Sequence, residues 1–251
     1  MKRLTSKQGL LISLALIILC TALSSFILHD FGRVTIHYDK ISTQPLNAEL
    51  ALKVFQPKAA SKENPAPAVI FAHGLSTNKE SYTPYALELA RRGFVVVAPD
   101  LLNHGDSEVT AEGTFFAPHQ VTEAFGAYAA VRYARELDFV DAEQIGIAGH
   151  SIGGNAVNGS IRLEDEMGIK NLSAAYFISA DPYVQGESGE FLNGYGNRDV
   201  GCFYTRYDHV FFKTFSEDAP PTSAQDWLNT ANAKAFVAFG EPERVDHIVP
   251  G

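Results

Sequence analysis

The segment 149–154 of this chain, Gly-His-Ser-Ile-Gly-Gly, constrains the fold more than any other feature of the sequence. Residues 145–148 before it form a short apolar run typical of a buried strand, and a helical pattern follows at 155–166. The pattern G-x-S-x-G is weak alone, but between a strand and a helix it indicates a tight turn that exposes its serine. We therefore expect Ser151 to project above a sheet at a helix N-terminus, where the helix dipole favours developing negative charge.

Strand-like and helix-like runs alternate along the rest of the chain. The predicted strands lie at 50–55, 68–72, 94–98, 145–148, 174–179, 200–204 and 235–239. The predicted helices lie at 85–92, 122–137, 155–166 and 223–232. Strands that alternate with helices form a mostly parallel sheet with helices on both faces. A chain of 251 residues is long enough for one such domain and short for two, so we assign residues 33–251 to one α/β domain.

Two further segments accompany the turn at Ser151, and each directly follows a predicted strand. One is His-Gly-Leu at 73–75, and the other is Asp-Leu-Leu-Asn-His-Gly-Asp-Ser at 100–107. The second is similar to the pattern D-x-x-G-H-G-x-S, with Asn103 in place of the first glycine. With these three matches in order across residues 50–180, the chain resembles the α/β-hydrolase superfamily, near the serine esterases with little or no lid.

The resemblance implies an α/β-hydrolase fold and the chemistry of a serine hydrolase. Ser151 would be the nucleophile, and the backbone N–H groups of Leu75 and Ile152 would form the oxyanion hole. His104 in the second segment would brace a loop. No cofactor is implied. The short, Gly-rich segment 182–197 leaves no room for a substantial cap domain.

The catalytic acid follows Ser151 in this family, and the histidine follows the acid. Asp208 comes after the strand predicted at 200–204 and resembles the family's acid position. Asp181 after the preceding strand is the alternative, although Pro182 beside it suits a turn. We therefore expect Asp208 to orient the histidine.

The catalytic histidine has two alternatives. His209 is adjacent to Asp208 and cannot easily face the same site, which leaves His247 after the strand predicted at 235–239. The sequence stops four residues after His247, before the helix with which the family usually ends. Either His247 is the base, or the chain is truncated and the base lies beyond residue 251.

The N-terminal segment 9–28 carries no charged residue and is predicted to be a membrane anchor. Twenty helical residues span the hydrocarbon core of roughly 30 Å. A cleaved signal peptide stays open, although the run exceeds the usual apolar region of about 7–15 residues. The basic residues Lys2, Arg3 and Lys7 predict that segment 1–8 is cytoplasmic and that the domain after Asp30 faces outward.

Charge, cysteine content and the absence of metal-binding patterns argue against nucleic-acid binding, disulfide bonds and metal sites. The formal net charge is −9, and no basic cluster follows the apolar segment, so no nucleic-acid partner is predicted. Of the two cysteines, Cys20 lies within the apolar segment and is not expected to pair with Cys202. The absence of C-x-x-C and H-E-x-x-H patterns predicts no metal site. The sequence carries no signal for oligomeric state.

Two function hypotheses follow from these features. The first is a membrane-tethered, extracytoplasmic serine esterase that acts on a small-molecule ester through an acyl-enzyme on Ser151. The second is a catalytically inactive binding or scaffold domain, because a fold alone does not establish activity. A histidine within reach of Ser151 distinguishes the two.

Overall fold

A computed structural model describes residues 5–113, 119–180, 184–185, 191–192, 195 and 198–203. The helices in this part of the chain are α1 (Ser6–Leu28), α2 (Thr83–Arg91), α3 (His119–Thr122), α4 (Ala127–Glu136) and α5 (Ile152–Met167). The strands are β1 (Val34–Ser42), β2 (Glu49–Pro57), β3 (Ala66–Ala72), β4 (Val95–Pro99), β5 (Val140–His150), β6 (Leu172–Ile178), β7 (Val184–Gln185), β8 (Phe191–Leu192) and β9 (Asp199–Phe203).

Seven strands form one sheet in the order β1-β2-β4-β3-β5-β6-β9. Strands β4, β3, β5, β6 and β9 are parallel to one another, whereas β2 is antiparallel to both β1 and β4. Strands β7 and β8 form a separate antiparallel pair. This arrangement confirms the predicted α/β-hydrolase fold.

Helices cover both faces of the sheet, and β4 illustrates why. Val95 and Val97 pack into the core beneath α4 and α5, whereas Val96 and Ala98 pack against the apolar side of α2. All four side chains are buried. A strand covered on both faces can therefore be a continuous apolar run, as the sequence predicted for 94–98.

The prediction of one continuous helix at 122–137 is wrong, because the structure has two helices there, α3 and α4. The chain has positive φ angles at Glu123, Ala124, Phe125 and Gly126 between α3 and α4. A Cβ atom at Gly126 would lie 2.4 Å from Cδ1 of Leu50, so the break brings the backbone against β2. The buried Glu123 carboxylate accepts hydrogen bonds from Arg132 and from the Gln44 N–H. Tertiary contacts thus interrupt a helical pattern.

Strand β1 was not predicted from the sequence. It is an edge strand whose residues are mostly exposed, and it pairs with β2 from Val34 opposite Pro57 to Ser42 opposite Glu49. Backbone pairing rather than an apolar pattern therefore forms it. The strand predicted at 235–239 and the helix predicted at 223–232 lie outside the described residues.

A buried ion pair ties the chain ahead of β9 to α5. Arg198 donates to Glu164 at 3.1 Å and to Asp165 at 3.1 Å. The other Glu164 oxygen accepts from the Asn171 N–H at 3.0 Å. Tyr195, also buried, donates from its hydroxyl to Asn158 at 2.6 Å. Helix α5 is therefore linked to the approach to β9 through several polar contacts.

Helix α1 is the described helix long and apolar enough to cross a membrane. Its N-terminus has a capping box in which Thr5 and Gln8 satisfy each other's backbone N–H groups. None of its residues is buried, so α1 projects from the domain instead of packing on it. Such a helix near the N-terminus suits a membrane span or a signal sequence.

Candidate active site

Ser151 lies in the sharp turn between β5 and α5. Its backbone has φ 52° and ψ −116°, and α5 begins at the next residue, Ile152. A non-glycine residue in such a conformation costs of order 1–3 kcal/mol, and the strain concentrates at functional sites. The Ser151 N–H donates to the Ile178 carbonyl at 3.0 Å, and the Ser151 carbonyl accepts from Gly154 at 2.8 Å. The first bond holds the strained turn against β6, and the second closes the turn into α5.

Glycines on both sides of Ser151 allow the turn to pack against the backbone. A Cβ atom at Gly149 would lie 2.2 Å from the Gly153 carbonyl oxygen. One at Gly153 would lie 2.3 Å from the Ala72 carbonyl oxygen at the end of β3. The need for small residues at these two positions therefore has a specific steric cause.

The loop after β3 lies directly against this turn. A Cβ atom at Gly74 would lie 2.6 Å from Nδ1 of His150, the residue before Ser151. The structure therefore brings together the loop that contains Leu75 and the turn that contains Ile152. Within the described residues, neither of these N–H groups donates to a backbone carbonyl. The two predicted oxyanion-hole residues, Leu75 and Ile152, thus lie in segments that contact each other.

The carbonyl oxygen of Gly74 is held by three donors. Thr77 donates from Oγ1 at 2.7 Å and from its N–H at 3.3 Å. The buried His73 accepts the Leu101 N–H on Nε2 at 2.9 Å, so its proton is on Nδ1, which donates to Gly74 at 2.8 Å. Burial lowers the pKa of His73 and keeps the ring neutral. Because the peptide group is planar, fixing the Gly74 carbonyl also fixes the direction of the Leu75 N–H.

Tyr82 connects α2 to the nucleophile turn. Its hydroxyl lies 2.7 Å from Nδ1 of His150, and its ring packs against Phe71 with centroids 5.2 Å apart. Burial raises the pKa of Tyr82, so the phenol stays protonated. Sequence reasoning missed this residue, because a tyrosine at a helix N-terminus has no distinctive pattern.

Asn103 occupies the position where the family pattern has glycine. Its φ angle is 65°, a left-handed conformation that asparagine tolerates better than most residues. Its side chain accepts from the Thr110 N–H at 2.7 Å and donates to the Gly113 carbonyl at 2.8 Å. His104 packs edge-to-face on His73, with Nδ1 3.0 Å from the Leu102 carbonyl. These contacts agree with the expected bracing role of His104.

A buried ion cluster joins the loop after β3 to the loop after β4. Lys79 Nζ donates at 2.6 Å to Asp100 and at 2.6 Å to Asp106, and the Lys79 N–H donates to Asp100 at 2.7 Å. Burial alone would lower the pKa of Lys79, but the hydrogen bonds to both carboxylates raise it above its usual value. The sequence pattern marked Asp100 but gave no signal for Lys79, because their pairing exists only in three dimensions.

The predicted acid and base lie outside the described residues. This applies to Asp208, to the alternative acid Asp181, and to His247. The candidate site that the structure describes therefore consists of the nucleophile turn and the oxyanion loop.

Comparisons with known proteins agree with this fold. A model described as the alpha/beta hydrolase family matches residues 69–248, more than half of the chain. The chain belongs to the α/β-hydrolase family. This membership confirms the resemblance drawn from the sequence and supports a hydrolase.

Individual relatives of this α/β hydrolase share about a third of its residues over the matched segments. The putative esterase YitV of Bacillus subtilis is 30% identical over 175 residues, which cover 68% of this chain and 61% of the relative. The uncharacterized protein Mb2734 of Mycobacterium bovis is 33% identical over 92 residues, which cover 35% of this chain and 23% of the relative. The chain thus spans less than two thirds of the length of either relative.

A solved structure similar to this chain is that of esterase Est22. Its TM-score is 0.50 at 17% sequence identity, with 73% of this chain and 55% of that chain covered. At this identity the similarity concerns the fold alone.

Replacement of Gly149 by alanine tests the close approach at the nucleophile turn. We expect Gly149→Ala to lower the free energy of unfolding by at least about 1–3 kcal/mol, because its Cβ atom collides with backbone. Gly146→Ala in the same strand is the control, since its Cβ atom would meet Ala174 at an ordinary 3.6 Å. Urea unfolding midpoints measure both, and equal midpoints would contradict the steric argument.

Replacement of Asp100 by asparagine tests the buried ion cluster. Asp100→Asn leaves the Lys79 ammonium buried without its main partner, and we expect a loss of about 3–5 kcal/mol in the free energy of unfolding. The matched control is Asp106→Asn, whose side chain is 74% exposed and pairs with the same ammonium. Its unfolding midpoint should stay near that of the unmodified protein. Similar losses in both variants would show that burial does not set the strength of the pairing.

Proposed function

We propose that this protein is a serine hydrolase that cleaves carboxylic esters through an acyl-enzyme on Ser151. The observation that carries the proposal is the strained backbone of Ser151 at the head of α5, packed against the loop of Leu75. A serine with only a structural role would not need a positive φ between two glycines. The similarity to the putative esterase of Bacillus subtilis supports the ester as substrate class.

In this mechanism the Ser151 oxygen attacks the ester carbonyl carbon as a histidine takes the hydroxyl proton. The carbonyl oxygen becomes an oxyanion and accepts hydrogen bonds from the N–H groups of Leu75 and Ile152. The bond to the leaving alcohol then breaks, and the histidine returns the proton to that alcohol. Water adds to the acyl-enzyme through the same base, which releases the carboxylic acid and restores Ser151.

The acid and base are assigned by order along the chain. We propose that Asp208 orients the histidine and that His247 is the base, with Asp181 as the alternative acid. A histidine beyond residue 251 is the alternative base. No cofactor takes part in the proposed reaction.

We propose that α1 is retained as a single membrane span, with segment 1–8 in the cytoplasm and the hydrolase domain on the other side. The length and composition of α1 support a span, and the basic residues ahead of it support this orientation.

The nucleophile is tested by Ser151→Ala. We expect the full-length protein to react with a fluorophosphonate probe and to hydrolyse a short-chain aryl ester. Ser151→Ala should abolish labelling and reduce turnover by at least about 10³-fold, because it removes the attacking atom. Ser173→Ala, which alters a hydroxyl bonded to the Ile145 carbonyl, serves as the control and should remain active. Full turnover by Ser151→Ala would refute the mechanism.

The role of the Gly74 carbonyl contacts is tested at Thr77. Thr77→Val removes the Oγ1 donor, so the peptide that directs the Leu75 N–H is held less firmly. We expect kcat to fall about tenfold with KM nearly unchanged, because the contact matters when negative charge develops on the oxyanion. Thr77→Ser retains the hydroxyl and should restore kcat. A change in KM alone would instead assign Thr77 to substrate binding.

A further inference from the structure

The connection between α1 and the domain is short and folded. Helix α1 ends at Leu28 and β1 begins at Val34, so the connection is residues 29–33. The Phe31 N–H donates to the Phe26 carbonyl at 2.9 Å, and the Val34 N–H donates to the His29 carbonyl at 3.1 Å. These bonds close the turn onto the end of α1, and no free linker separates the helix from the sheet.

Arg91 fastens the end of α1 to the end of α2. Its guanidinium lies 3.5 Å from the Ile27 carbonyl and 3.4 Å from the Leu28 carbonyl. Its Nε atom lies 3.8 Å from the Asp30 carboxylate. A cation at a helix C-terminus satisfies the last carbonyls and complements the helix dipole. The two helix ends are thus held together beside the first residues of β1.

Helix α2 separates this attachment from the candidate active site. At its start the Tyr82 hydroxyl contacts His150, next to Ser151, and at its end Arg91 contacts α1. Nine helical residues span about 14 Å. Because α2 returns from the carboxyl end of β3 to the amino end of β4, α1 is attached at the amino edge of the parallel strands. Ser151 lies at their carboxyl edge.

The surface around the attachment of α1 has the chemistry of a membrane interface. Phe31 is exposed and packs edge-to-face on Phe26, with centroids 5.7 Å apart. Four exposed basic residues surround the attachment and outnumber the acidic residues that pair with them, Asp30 and Glu88. The basic residues are Arg33, Lys58, Arg91 and Arg92. Aromatic rings are favourable at a membrane–water interface, and guanidinium groups form charge-assisted hydrogen bonds with the phosphates of lipid headgroups in either leaflet, even though the whole protein is acidic.

We propose that α1 holds the domain with its amino edge against the bilayer and with the carboxyl edge, which includes Ser151, toward water. The substrate class that follows is a water-soluble ester rather than a lipid resident in the bilayer. The substrate class rests on the proposed function, whereas the orientation rests on α1 as a membrane span and on the contacts of Arg91.

Spin labels on the full-length protein in phospholipid vesicles test the orientation without reference to activity. In a background with Cys20→Ala and Cys202→Ala, one label is placed through Glu63→Cys and the other through Val109→Cys. Residue 63 lies between the end of β2 and the start of β3, at the amino edge. Val109 is 80% exposed and follows Glu108, whose N–H donates to Glu49 at the start of β2, at the carboxyl edge.

Ni²⁺ chelated on lipid headgroups is the relaxation probe. We expect relaxation at residue 63 to exceed that at residue 109 by at least about threefold. Arg91→Ala should reduce this difference, whereas Arg92→Ala, which pairs with Glu88 alone, should not. Equal relaxation at the two sites, or stronger relaxation at residue 109, would overturn the orientation. The orientation would also be overturned if the protein isolated with the membranes lacked α1.

The substrate class is tested with one acyl group presented in two ways. The protein in vesicles is given a water-soluble aryl ester and a bilayer phospholipid with the same short acyl chain. We expect the aryl ester to be hydrolysed at least about 10²-fold faster, and the difference to shrink in detergent micelles, where the lipid reaches the carboxyl edge. Equal rates in vesicles would overturn the substrate class. Hydrolysis of neither ester would refute the proposed function, while the spin labels would still decide the orientation.

Discussion

Backbone meets backbone, with no side chain between, where the turn at Ser151 crosses the end of β3. A Cβ atom at Gly153 would lie 2.3 Å from the Ala72 carbonyl oxygen and 2.8 Å from the His73 carbonyl oxygen. This close approach of the two backbones sets the distance between the nucleophile turn and the loop of Leu75. The parallel pairing of β3 with β5, which ends at Ala72 opposite Gly149, brings the two segments to the same height. Every other feature of the candidate site depends on this approach.

Buried polar contacts then fix the loop that the approach brings near. Lys79 and Asp100 pair across two neighbouring loops, and the Gly74 carbonyl accepts hydrogen bonds from Thr77 and His73 of its own loop. An unpaired charge or carbonyl in this region would be costly, so each contact favours one arrangement over others. Such networks contribute to precise positioning more than to net stability, because desolvation offsets much of their attraction. Preorganised donors of this kind are what stabilisation of an oxyanion requires.

The sequence was informative where one local pattern determines a structure. The strand, the glycine-flanked turn and the helix around Ser151 were all predicted, although α5 begins at Ile152 rather than at residue 155. The run of valines in β4 was equally clear. Prediction failed where partners are distant in sequence. The break after Thr122 depends on the approach of Gly126 to Leu50, and β1 forms through pairing with β2 despite its polar composition. Lys79 became part of the site only through Asp100, 21 residues further along.

The ion pair between Arg198 and Glu164 allows the chain between β6 and β9 to vary in length among relatives. Helix α5 carries the nucleophile turn at its start and Glu164 near its end. The residues just before β9 are therefore held by the same helix that positions Ser151. Ala180, buried after β6, fixes the other end of the intervening segment. Because Ala180 at one end and Tyr195 and Arg198 at the other are held by the core and by α5, added residues between β7 and β8 would cost little beyond loop-closure entropy. Relatives could therefore vary the length of this segment without rebuilding the sheet and the helix that carry the nucleophile turn.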